Sequence, residues 1–184
     1  MRTILRSVLF LGALGAIGAI GASGAAAQQS PPATDVKADQ IEATLRDQIV
    51  AFRPVVDTAI RTVDAGGHNV GVGLVYRQGP ARGGSAAHDK VSEVYYILEG
   101  AGTLVTGGTL TEPNRREGGA AVVTGINGPG VSGTRIQGGV SRRIAKGDVV
   151  IIPAGAPHWW SEVEAPSITY IVIRVDPERV VALK

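Results

Sequence analysis

The chain contains no cysteine, and that absence removes several explanations at once. It excludes a disulfide framework, a lipid-modified N-terminal cysteine and the cysteine spacing of a zinc finger. Stability therefore has to come from a packed core. Aromatic side chains are scarce too, with two Trp, four Tyr and two Phe in 184 residues, whereas glycine is abundant at 26. That balance suits short strands joined by many tight turns. No glycine-rich phosphate loop stands between a strand and a helix, and no serine sits in a nucleophile elbow.

A long apolar run is missing as well. Arg2 and Arg6 make the N-terminus basic, residues 8–22 are apolar and rich in Gly and Ala, and Ala25, Ala26 and Ala27 precede Gln28. An apolar stretch of about 15 residues is short for a bilayer span of about 20. The pattern predicts a signal peptide over residues 1–27 and no stable membrane insertion after its cleavage. A periplasmic or secreted protein is expected. Without Arg2 and Arg6 the 18 Lys and Arg fall to balance the 16 Asp and Glu. The pI of about 9.1 for the whole chain therefore overstates its basicity. No sustained basic patch remains, which excludes nucleic acid as a partner.

The rest of the chain is long enough for one core and short for two. Residues 28–33 read as a leader. Ile41, Leu45 and Ile49 recur every four residues between charges, which predicts a helix over residues 35–50, capped by Thr34 or Asp35 and ended by Pro54. Beyond it the period becomes two. Strands are predicted over residues 56–62, 68–77, 92–98, 102–106, 142–144, 148–152, 158–163 and 168–175. The organisation is a leader and helix over 28–54, then one all-β domain over 55–184. Within that domain the Gly-rich residues 107–139 form an insertion in which only 120–124 reads as a strand. It either covers a barrel mouth or makes a surface excursion with its own hairpin.

Chemistry concentrates in two stretches. In residues 88–100, HDKVSEVYYILEG, His88 and Glu93 lie five apart and would face opposite sides of one straight strand. They converge only if the chain reverses at Asp89 and Lys90. In residues 147–158, GDVVIIPAGAPH, a short apolar strand and a Pro/Gly turn deliver His158 onto the next strand. Two imidazoles and one carboxylate are a metal-binding set, suited to Fe and also to Mn, Ni or Zn. Tyr95 and Trp160 share inward faces with Glu93 and His158 and can stack on a ligand. Arg77 and Arg174 are strand residues able to hold a carboxylate or phosphate. His68 opens a strand well before these motifs and reads as a strand-end residue. Val94, Tyr96 and Leu98 are apolar on the face opposite Glu93. That predicts cover by the N-terminal helix or by a second subunit, and a homodimer is the expected assembly.

The second stretch resembles the second signature motif of the cupin superfamily: glycine, five residues, proline, any residue, glycine, two residues and a metal-binding histidine. Gly147, Pro153, Gly155 and His158 fill every position. The first stretch resembles the first cupin motif, with His88, Glu93 and Gly100 at its second histidine, its glutamate and its closing glycine. Ala86 stands where that motif has its first histidine, and Glu162 where an asparagine often follows the second motif. The likeness spans roughly residues 66–176. It implies a jelly-roll β-barrel with a short N-terminal helix, and a divalent metal held by His88, Glu93 and His158. The expected role is a metal-dependent enzyme, oxygenase-like or else an isomerase or lyase, acting on a small oxygen-bearing molecule. Two alternatives stand beside it: a non-catalytic module binding a small sugar or acid, and a metal-free epimerase or isomerase using His88 or His158 as base and Tyr95 as acid.

Overall fold

Thirteen short strands and one helix build the described part of the chain, which in this computed structural model is residues 32–79 and 83–184. The expected signal peptide, residues 1–27, lies outside the described residues. Helix α1 (Ala38–Val50) starts later than the periodicity predicts. Its first turn is not held by Thr34 or Asp35. Lys37 is the cap residue, and its backbone N–H donates to the Gln40 side chain at 3.0 Å. The helix stops where Phe52 takes a left-handed φ of 49°, just ahead of Pro54, whose missing N–H cannot continue it.

Ile41 and Leu45 are half-buried as the periodicity predicts, but the third position of the face departs from it. Ile49 is exposed at 45 %, whereas Gln48 is buried at 2 %. The Gln48 amide donates to the carbonyl of Leu74 at 2.7 Å and to the Thr58 hydroxyl at 3.0 Å. These bonds replace water at the amide nitrogen, whereas Gln48 Oε1 is buried without a hydrogen-bond partner among the described residues.

Strands β1 (Val55–Asp64), β2 (Asn69–Gln78), β13 (Ser167–Asp176), β4 (Ser92–Glu99) and β11 (Val149–Ile152) form one antiparallel sheet in that order. A second sheet runs β10 (Val140–Ala145), β5 (Ala101–Thr106), β12 (His158–Val163), β3 (Ser85–His88), β8 (Gly130–Gly133), β7 (Asn114–Arg115). The two sheets close over a shared core, a jelly-roll barrel. From the first sheet come Val75, Tyr95, Ile97, Ile168, Tyr170 and Val172, and from the second Leu104, Ile144, Trp160 and Val163. Removing each such side chain from water stabilises the fold by about 1.5–3 kcal/mol.

Residues 107–139 are more ordered than a simple excursion. Strands β6 (Thr109–Thr111) and β9 (Arg135–Gln137) pair with each other, while β8 joins β3 and extends the second sheet. Residues 120–124 are not a strand; they lead into a π-helical turn, Val123–Asn127. That turn meets the C-terminal residues: Ala182 N–H donates to Thr124 O at 2.8 Å, and Val181 is buried. On the outside of the first sheet α1 packs mainly on β1 and β2. Tyr96, Val149 and Ile151 stay exposed, Ile151 at 72 %. Among the described residues no helix is long and apolar enough to cross a membrane.

Candidate metal centre

The two motif stretches meet because the strands that carry them face each other across the barrel. His88 ends β3 in the second sheet. The chain then reverses over Asp89 and Lys90, and Glu93 enters as the second residue of β4 in the first sheet. His158 opens β12, beside β3, and pairs in register with Ala86. The turn before it is tied to the first motif by the Gly155 N–H, which donates to His88 O at 2.6 Å. Gly155 holds a φ of 79°, which glycine adopts without the strain a Cβ would add.

Both histidine Nε2 atoms lie 3.5 Å from Glu93 Oε2. One ligand atom from each of the three residues lies within 4.8 Å of the others. Donors about 2.0–2.2 Å from a common divalent ion stand about 3.0–3.5 Å from one another, so the trio fits such an ion with little movement. The donor set of two imidazoles and a carboxylate is also right for one. All three are buried, at 4 %, 2 % and 7 % exposure for His88, Glu93 and His158.

Neighbouring groups hold these side chains in place. His158 Nδ1 lies 3.1 Å from Ala156 O, which only a ring N–H can satisfy, so the lone pair is at Nε2. Glu93 Oε2 accepts from the Tyr95 hydroxyl at 2.7 Å and Oε1 from Arg174 Nε at 3.0 Å. Arg174 in turn donates to Asp57 at 2.6 Å. Burial alone would raise the Glu93 carboxyl. The His88 hydrogen bond and the charges around it, Arg174 included, win and hold it well below its ordinary value. Burial pushes His158 down to about 4, against a smaller opposing pull from Glu93. At neutral pH the pair is therefore a carboxylate and a neutral imidazole, the forms that bind metal. Burial and the Glu93 charge drive the Tyr95 hydroxyl well above its ordinary value.

A profile of the cupin family matches residues 83–183, which contain all three candidate ligands. The chain belongs to the cupin family. A search of curated proteins found no match. Among solved structures, BH2720 of Bacillus halodurans is 15 % identical, with 80 % of this chain and 84 % of that one covered and a TM-score of 0.45. KdgF of a Halomonas species is 14 % identical, covering 68 % and 82 %, at a TM-score of 0.40. A putative sugar phosphate isomerase of Acidithiobacillus ferrooxidans is 18 % identical, covering 66 % and 58 %, at a TM-score of 0.39. At such identities these likenesses concern the fold alone.

Within this cupin barrel the other sequence-predicted residues divide. Tyr95 and Arg174 both touch Glu93. Arg77 and Trp160 converge instead on the Tyr170 hydroxyl, at 3.0 and 3.2 Å. Arg174 is buried between two carboxylates rather than solvated at a strand end. His68 precedes β2, outside the ligand group, and Glu162 is exposed. Three contributors escape the sequence reading. Asp57 and Tyr170 could have been found by period two, since Tyr170 shares a face with Val172 and Arg174. Arg116 lies 2.9 Å from His88 Nδ1, and no spacing rule points to it.

Proposed function

We propose that this cupin is an exported protein that holds a divalent metal, Fe, Mn, Ni or Zn, between His88, Glu93 and His158 and acts on a small oxygen-bearing molecule. The observation that carries the reading is the convergence of three buried donor atoms from facing sheets, with both imidazole Nε2 atoms 3.5 Å from one carboxylate oxygen. When bound, such an ion supplies Lewis acidity toward an oxygen ligand or open positions for dioxygen. The chain's own residues do the rest. Arg174 and Tyr95 orient Glu93, and the Ala156 carbonyl orients His158. Tyr95 is the expected substrate contact nearest the ligands; Arg77, Arg174 and Trp160 shape the polar and aromatic wall behind it. The uncovered outer face of β4 and β11 supports a homodimer.

The test is a cobalt(II) titration of chelator-stripped protein. Saturable visible absorption bands that vanish in Glu93→Gln support the centre. Featureless spectra in the unmodified protein reject it. A metal-free acid–base reading draws support from one contact, that of Arg116 with His88, and predicts turnover that survives chelation. The height of Tyr95 and the depth of His158 weigh against it, because neither then exchanges a proton readily near neutral pH.

A further inference from the structure

The two candidate histidine ligands are held in opposite ways. His158 Nδ1 faces a carbonyl and must donate to it, leaving Nε2 free to coordinate. His88 Nδ1 faces the Arg116 guanidinium at 2.9 Å. Arginine has donors only, so this Nδ1 must accept. A neutral ring that accepts at Nδ1 carries its hydrogen on Nε2, the atom directed at Glu93 Oε2. In that arrangement His88 is a hydrogen-bond donor to Glu93 and has no lone pair for an ion between them.

The seat of Arg116 is built into the sheet. Its backbone N–H donates to Gly130 O at 3.0 Å, and its Nη2 also donates to Ala87 O at 3.0 Å. Gly130 pairs in register with His88, and a Cβ there would fall 1.9 Å from the guanidinium. Any side chain at 130 would displace the arginine. The guanidinium is nevertheless lightly held. Its Nε is buried without a hydrogen-bond partner among the described residues, and the nearby Asp89 carboxylate is paired with Arg115.

We infer that Arg116 is a positioning residue that opposes metal occupancy, holding His88 out of the ligand set until the guanidinium leaves Nδ1. The inference rests on the metal-centre reading above. Both of its effects have one sign, because a fixed cation behind the ring repels a dication and the hydrogen bond fixes the non-coordinating tautomer. Ordinary partners of metal-ligating histidines do the reverse, accepting from the ring N–H and strengthening the ligand.

The experiment is a zinc titration against a chromophoric chelator, using the chelator-stripped protein, Arg116→Ala and Arg116→Gln. Long-range proton–nitrogen NMR of the apo proteins accompanies it. Both variants are expected to bind zinc about 10- to 100-fold more tightly, the range over which outer partners tune such sites. In the unmodified apo protein the His88 hydrogen is expected on Nε2 and the His158 hydrogen on Nδ1. Unmodified protein that binds zinc as well as both variants, or better, overturns the inference and leaves the metal centre standing. A His88 hydrogen found on Nδ1 in the unmodified apo protein also overturns it. If none of the three proteins binds zinc, the metal-centre reading itself fails.

Discussion

Ala86 lies directly across the pairing of β3 and β12 from His158. It also shares the inward face of β3 with His88, two residues on. A side chain at position 86 is therefore aimed at the same space as both imidazoles. Ala86→His should add a fourth ligand and tighten zinc binding by at least about tenfold, or about 1.4 kcal/mol. Isothermal titration calorimetry measures this directly. Unchanged affinity with a preserved fold would mean that the ion does not sit between these strands.

Arg174 ties the site to the barrel wall. It is buried between Glu93 and Asp57, with Gly71 opposite leaving room for its stem and Gly73 for its guanidinium. Arg174→Met keeps the volume but leaves two carboxylates without their cation. Breaking a buried pair in this way costs about 3–5 kcal/mol. The urea midpoint should fall accordingly with little change in slope. A midpoint within error of the unmodified protein would remove Arg174 from the supporting network.

Acid should weaken the apo fold through His158. Its pKa is about 4 in the folded protein against an ordinary 6.5, so between those values the unfolded chain binds a proton that the native state refuses. Stability is then greatest above pH 6.5 and declines as pH falls toward 4, by about 3 kcal/mol in all. Glu93, whose carboxyl is held low, adds a loss of the same sign below its ordinary value of 4.5. Urea denaturation in chelator from pH 7.5 to 4.5 should show the decline, and His158→Gln should flatten it. Parallel pH profiles for the two proteins would contradict the assignment.

The β-domain is legible in the sequence where side chains alternate over several residues. Strand β12 runs His158–Val163, the same bounds that the alternation predicts, and β4 and β13 differ from their predicted ends by a residue or two. Periodicity works there because one face of each strand is buried in the core. It fails in residues 107–139, where β6 to β9 are two to four residues long and owe their existence to partners far along the chain. One position of the helix face is misplaced for a related reason: Gln48 outranks Ile49 because the Leu74 carbonyl and the Thr58 hydroxyl lie beneath it. At the site, the reversal at Asp89 and Lys90 is readable from two spaced motifs. Arg116 is not, since only the pairing of β3 with β8 brings the insertion to His88.

The outer face of β4 and β11 carries the assembly prediction. Tyr96, Val149 and Ile151 form an exposed apolar patch on an edge of the first sheet. The protein should elute as a dimer in light-scattering-coupled gel filtration, and Ile151→Glu as a folded monomer. A monomeric unmodified protein at micromolar concentration would rule this face out as a stable interface.

The central claim is the metal centre, and elemental analysis of tag-free protein comprising residues 28–184, beside a His158→Ala control, tests it most directly. Near-stoichiometric iron, manganese, nickel or zinc that disappears in the control is the expected result. No metal in either protein, even after anaerobic loading with Fe(II), would contradict it.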